Sequence, residues 1–337
     1  MATRRSLLLT GLGSLAAVAA GKGTTAYAAP DLKKVSIIVP LQSAFVLSYM
    51  GAKDAGVFSK HGIDLEIDAR PYSGFLASLP SKAAMVGTYS GLNAIEKINQ
   101  GLDWVIIGGG LTLVQDVIVR ADSPFKTLTD LRGKKIGVFS SGASGFVSAR
   151  AAIMDASGFD VAKEATLQQV SGPALNILLE RGQVDAMIQL SSLTMEAEAQ
   201  PDKFRVLFSP NAYWKQKTGY PIVWASPLVA WRSWVDEDQA GAKNFAAAVM
   251  ESFRWLRQPG NLDAAAKKYG AMAAVNKPED VAEYKQWLAA DKIFMATWTR
   301  KSVDAQWKFL DACQRIGVLS KVPAEDKSAL FMGELGA

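Results

Sequence analysis

The sequence predicts an α/β protein of two lobes, each built on an open and largely parallel sheet. Short apolar runs of strand length alternate with helix-like stretches from Val35 to Ala230. Polar turns rich in Ser, Thr, Gly and Gln follow most of those runs, at the carboxyl ends where open α/β sheets bind ligands. After Ala230 the texture becomes mostly helical, so that block cannot form a sheet domain of its own. It most simply packs on the first α/β unit, giving one lobe from residues 31–115 and 222–337 and a second from 116–221.

The 337 residues, 49% apolar and 20% charged, have the composition of a folded globular protein long enough for two domains. Thr3-Arg4-Arg5-Ser6-Leu7-Leu8-Leu9 places a twin arginine ahead of an apolar run from Leu7 to Ala20, and the small-residue site Ala26-Tyr27-Ala28 follows. Residues 1–28 therefore read as an export signal, of the twin-arginine type or a general secretory signal carrying two arginines. No later apolar run is long enough to span a bilayer, so the mature chain is expected to be soluble outside the cytoplasm. Taking Arg4, Arg5 and Lys22 off with the signal lowers the formal charge from +5 by three units, which removes the main support for a nucleic-acid partner.

In the first unit Val35–Val39 reads as a strand, Pro40 to Ala44 as a turn, and the stretch to Ala55 as a helix. Gly56 to Gly62 reads as a turn and Ile63–Ile67 as a half-exposed strand closed by Tyr72-Ser73-Gly74. A helix-like Phe75 to Leu79, a strand Ala83–Gly87, a helix Leu92–Asn99 ended by Gly101, and a strand Trp104–Ile107 complete it. Gly108-Gly109-Gly110 has neither phosphate-loop spacing and reads as a hinge or tight crossing. The second unit takes Val117–Val119, Ile136–Phe139, Leu167–Val170, Ala186–Leu190 and Phe204–Phe208 as strands, with a helix from Pro173 to Arg181. Ser209 to Gly219 reads as a loop and Ile222–Ala230 as a strand crossing back. Helical spacing links Phe245, Val249, Phe253 and Leu256, and again Val303, Trp307 and Leu310.

The site candidates stand where strands end: Gln42 and Ser43, Ser73 and Gly74, Thr88, Tyr89 and Ser90, Ser140, Ser141 and Ser144, and Gln189 with Ser191. Two lobes meeting at those ends would enclose a cleft of neutral hydrogen-bonding groups, which suits binding rather than reaction. The stretch Ser140-Ser141-Gly142-Ala143-Ser144-Gly145 is the entrance to a helix, suited to a small anion by its hydroxyls, free N–H groups and partial positive charge. The alternative is that Ser140 or Ser141 only caps its own helix. Trp224 and the Tyr213/Trp214 pair are either stacking surfaces for a flat ligand or core. No catalytic residue is expected, because His61, the single histidine, lies in a polar turn and no G-x-S-x-G is present. One His and one Cys, Cys313, leave no histidine- or cysteine-based metal site and no intramolecular disulfide, and no cofactor is expected.

Three stretches carry a resemblance. Ala52-Lys53-Asp54-Ala55-Gly56-Val57-Phe58-Ser59-Lys60-His61-Gly62-Ile63-Asp64-Leu65, Ser123-Pro124 with Leu128 to Gly137, and Asn176 to Ala186 are similar in order and spacing to the periplasmic solute-binding proteins of ABC importers. The group resembled takes aliphatic sulfonates, taurine, nitrate and thiamine-pyrimidine precursors. The resemblance implies a two-lobed, type II Venus-flytrap fold, a monomer in the periplasm that closes on a small-molecule ligand and delivers it to a membrane permease. By matching position it implies that Gln42, Ser73, Thr88, Ser141, Ser144 and Gln189 face the ligand. The ligand expected is a small organic anion, sulfonate or carboxylate and aromatic or not. A neutral pyrimidine or flavin precursor stacked on Trp224 or Tyr89 is the alternative, and a pyrimidine-synthesising enzyme of the same fold a third.

Overall fold

The structure, a computed structural model, describes residues 32–329 apart from Ser171, Pro173, Leu190 and Asn276; the side chains of Tyr72, Ser73, Leu76, Ser192, Asp326 and Lys327 are also outside the description. The expected export signal, residues 1–28, lies outside the described residues.

The strands are β1 (Lys33–Pro40), β2 (Ile63–Arg70), β3 (Val86–Gly87), β4 (Trp104–Leu111), β5 (Val117–Arg120), β6 (Lys135–Val138), β7 (Thr166–Gln169), β8 (Ala186–Ile188), β9 (Phe204–Phe208) and β10 (Ser226–Trp231). One sheet has the order β2-β1-β3-β10-β4 and the other β7-β6-β8-β5-β9. In each the members flanked by crossover helices run parallel, and one strand that arrives from the other sheet, β10 or β5, pairs antiparallel with both neighbours. The chain thus passes between sheets twice, through residues 112–116 and through residues 209–225.

The C-terminal helices complete the first sheet's layer. Gln239–Leu256 buries Phe245, Val249, Phe253 and Leu256 on one face, as their spacing predicts. Phe253 stacks on Phe294 with centroids 4.3 Å apart and 7° between planes; both rings meet Phe45 of the helix Ala44–Asp54, and Phe253 also meets its Tyr49. These rings are fully buried, worth roughly 1.5–3 kcal/mol each by area, and they tie the two ends of the chain into one core.

Several elements differ from the sequence reading. Of the two readings of Gly108-Gly109-Gly110, the tight crossing holds and not the hinge: the run ends β4, and a Cβ on Gly110 would lie 2.1 Å from the Ser226 carbonyl oxygen. Residues 209–219 are not a loop but the helix Pro210–Thr218: the Ser209 hydroxyl accepts from the Ala212 N–H, Pro210 opens the first turn and Gly219 ends it at φ +82°. Val57–Lys60 is a short helix where a turn was expected, the helix expected from Phe75 begins three residues earlier as Tyr72–Ser78, and Ser191 opens the helix Ser191–Glu198 rather than a polar turn. The expected strand 83–87 contracts to Val86–Gly87, and the strand expected from Ile222 begins at Ser226.

Candidate functional site

Four times the chain repeats one local construction: a parallel strand, a turn, and a helix whose first turn faces the gap between the sheets. β1 leads through Ser43 to Ala44–Asp54, and β3 through Ser90 to Gly91–Asn99. On the other side β6 leads to Ser144–Ser157, and β8 to Ser191–Glu198. Small polar residues at these starts let the backbones approach and leave first-turn N–H groups without intrahelical partners. The cavity between them has a volume of about 150 Å³.

The hydroxyls around it are engaged elsewhere than in capping. Ser43 Oγ donates back to the Pro40 carbonyl at 2.7 Å, and Ser90 Oγ donates to Ser144 Oγ across the gap, both serines being buried. Ser191 Oγ accepts from Gln115 Nε2 at 3.4 Å. None of the helices starting at Ala44, Gly91 or Ser144 has a side-chain cap, so neither Ser140 nor Ser141 caps its own helix. The first-turn N–H groups and the positive ends of the helix dipoles are left to the cavity. Among the described residues no acidic, basic or histidine side chain lines it. Its apolar wall is made by Phe45, Phe75, Phe139, Phe146, Leu111 and Ile188.

Of the residues expected from sequence, Ser43, Ser90, Ser140, Ser144, Gln189 and Ser191 line the cavity. Others stand away from it. Gln42 is exposed, held at φ +56° with its N–H on the Met272 carbonyl. Gly74 lies within the helix Tyr72–Ser78 beside Arg70; the Ser73 side chain falls outside the description. Thr88 is wholly buried behind the wall, its carbonyl accepting from Ser226 Oγ. Tyr89 packs its ring between Phe75 and Trp104, at 6.0 and 5.1 Å. Ser141 faces solvent, its N–H on Gln169 Oε1 at 3.1 Å. Trp224 is core: its indole is fully buried, donates to the Gln306 carbonyl at 3.2 Å and meets Trp307 edge-on. Thr88, Tyr89 and Trp224 lie outside the strands, in the segments that follow β3 and precede β10, and pack into the core rather than toward the gap.

Sequence reasoning missed Gln115, Ser226 and the phenylalanines. Gln115, on the 112–116 crossover, is pressed under the first turn of Ser144–Ser157, and a Cβ on Gly145 would stand 2.8 Å from its Cδ. No motif marks it; the glycine at the second position of that helix was the available signal. Phe139 and Phe146 flank the serine turn itself and read as ordinary core.

The profile of the family described as NMT1/THI5 like matches residues 44–260. No curated protein matches the chain by sequence. Among solved structures, the periplasmic aliphatic sulphonate binding protein SsuA from Escherichia coli superposes with a TM-score of 0.67 at 18% identity, covering 90% of this chain and 94% of that one. A putative periplasmic sulfonate-binding protein SsuA from Methylobacillus flagellatus KT gives 0.65 at 16% identity, covering 89% and 92%. The desulfurization enzyme DSZB gives 0.56 at 15% identity, covering 89% and 97%. The architecture, two lobes with a return strand in each sheet, is the type II periplasmic-binding-protein fold.

Proposed function

Because this chain belongs to the NMT1/THI5-like family, we propose that it is the extracytoplasmic solute-binding component of an ABC importer, taking a small organic anion with an apolar body. The observation that carries this reading is the convergence of uncapped helix N-termini on a cavity walled by phenylalanine and free of charged side chains. Each helix end contributes a partial positive charge of about half a unit, and anion contacts there are worth roughly 0.3–1 kcal/mol, up to about 2 when buried. A sulfonate or carboxylate seated on those N–H groups keeps its charge without a counter-ion from a side chain. A volume of about 150 Å³ is that of a cavity holding roughly one benzene ring. Taurine is disfavoured relative to a simple alkanesulfonate, since its ammonium would meet no carboxylate.

Among the described residues lining the cavity none is a titratable base, which supports binding over acid–base chemistry. The neutral-heterocycle reading loses the stacking surfaces it depends on, since Tyr89 and Trp224 are both behind the wall. In this reading residues 1–28 export the chain, residues 31–115 with 222–337 and residues 116–221 close as two lobes, and the closed monomer presents its cargo to a permease.

The test is thermal unfolding of the mature chain in sulfonate-free buffer with benzoate, benzenesulfonate, propanesulfonate, taurine, nitrate, benzyl alcohol and a pyrimidine. Ligand at a hundred times its Kd adds about 2.7 kcal/mol, enough to raise the midpoint by several degrees. A rise with benzoate or benzenesulfonate and none with benzyl alcohol is expected. A rise confined to neutral rings, or to taurine, sinks the anion assignment.

A further inference from the structure

Beside the passage between the sheets, two carboxylates share one ammonium group. Asp116 ends the 112–116 crossover and is 1% exposed. Lys292 Nζ lies 3.1 Å from its Oδ2, an ion-pair contact, and donates a hydrogen bond to Oε2 of Glu198, the last residue of the helix Ser191–Glu198. Both carboxylate oxygens of Asp116 and Glu198 Oε1 are buried with no hydrogen-bond partner. Lys292 comes from the other lobe: Thr112 Oγ1 donates to its carbonyl at 2.5 Å, and the residues after it run along the end of β4 through Ile293, Phe294 and Met295. The cluster therefore spans the two lobes where the chain passes between them.

Its charges do not balance. With both carboxylates ionised it carries one net negative charge away from water, a costly state that a single proton removes. Burial, and then the Asp116 charge, push the Glu198 carboxyl up to about 7 against the pull of Lys292. Burial works against the Lys292 charge, but the two carboxylates outweigh it and hold its ammonium above the usual range. The other charged groups nearby do not supply the missing cation. Glu283, on the packed helix Pro278–Ala289, adds a further acid facing Lys292. Asp291 turns outward to Lys215 and Arg257, and Arg205 of β9 donates to the carbonyls of Ser123 and Phe125.

The helix that ends at Glu198 begins at Ser191 in the cavity wall, so one rigid element of about 10 Å joins the two places. We propose that Asp116, Lys292 and Glu198 form a proton-binding site across the hinge, and that closing the lobes on ligand takes up a proton there. The linkage to ligand rests on the cavity being the ligand site; the proton site itself does not. A carboxyl raised in the folded state is protonated in both states below its unfolded value. Between that value and about 7 only the folded protein keeps the proton, so stability falls as pH rises through this window and levels off above it. The linkage to ligand has its own ground: Lys292 and Glu198 belong to different lobes, so closing the lobes assembles the site, takes up the proton and strengthens ligand affinity as pH falls, by at most about tenfold per pH unit.

The decisive comparison is the thermal midpoint of the full chain from pH 4.5 to 8, without ligand, for the protein and for Glu198→Gln, both in a His61→Gln background that silences the one histidine. The protein is expected to lose several degrees relative to the variant across this range; curves that stay parallel overturn the site. Should Glu198→Gln not fold, urea unfolding of the His61→Gln protein at pH 6 in weak buffer is expected to release close to one proton, and release of none overturns the site equally. Affinity for a ligand found in the anion panel is then measured at pH 6 and 8. A flat affinity overturns the linkage while leaving the cavity assignment standing, and an empty panel with diverging midpoint curves overturns the cavity assignment while supporting the proton site.

Discussion

The hydrogen bond between Ser90 and Ser144 joins the two lobes at the cavity wall, and both hydroxyls are buried. Replacing either serine by alanine removes a bond worth about 0.5–1.5 kcal/mol and leaves the other hydroxyl without its partner, which costs about 1–3 kcal/mol. Replacing both removes donor and acceptor together, so the double variant is expected to cost less than the two singles summed, with a coupling of about 1 kcal/mol or more. For chains of this size 1 kcal/mol moves the thermal midpoint by roughly 2–4 °C, toward the lower figure as length grows. Each single variant should therefore lose about 2–6 °C, and the double variant little more than either. Unfolding midpoints of the four proteins, with solution scattering to follow opening of the lobes, measure this directly. Singles whose effects add within about 0.5 kcal/mol would show that the two hydroxyls do not latch the lobes.

Two further outcomes follow from other parts of the molecule. Asp160 accepts two bonds from Arg150, at 2.6 and 2.7 Å, and the guanidinium holds its carboxyl below the usual range. Its contribution is present above the unfolded carboxylate value and is lost as pH falls through the lower folded one, so Asp160→Asn should flatten the acid limb of a midpoint-versus-pH curve. The same variant should cost near the lower end of the roughly 3–5 kcal/mol expected for breaking a buried pair, since Arg150 keeps some contact with water. Cys313 is fully buried and its thiol is pushed well up by that burial, so a thiol reagent at pH 8 should label it only as fast as the chain unfolds. Immediate labelling of the native protein would contradict this packing.

The alternation of strands and helices was legible because each apolar run had the length of a strand and each helix a stop, as at Gly101 and Gly182. The return strand was legible too, since Leu228 to Ala230 lie in an apolar run after the second crossing. What misled was local chemistry with two uses. Ser209-Pro210 opens a helix as readily as a loop, and only the left-handed Gly219 at its far end marks the difference. Gly108 to Gly110 left a hinge and a tight crossing open, and the structure makes it a place where backbones touch. In the cavity wall, the serines at helix starts were legible from the strand-turn-helix pattern. The exact layer was not: Thr88 and Tyr89 are buried and Ser90 reaches the gap, a choice fixed by where β3 ends. Gln115 and the phenylalanines carry no positional signature, because a wall residue and a core residue of the same type differ only in what stands opposite.

β10 lies between β3 and β4 although it is synthesised after every strand of the second sheet. Until Trp231 has left the ribosome, β3 and β4 cannot be joined, and the ring stack on Phe45 waits longer still for Phe253 and Phe294. The second sheet, drawn from consecutive strands, has all its partners much earlier. The first part of the chain to be made is thus the last to be finished, and its strands remain open edges, ready to pair with the wrong neighbour, for most of the time the polypeptide takes to emerge.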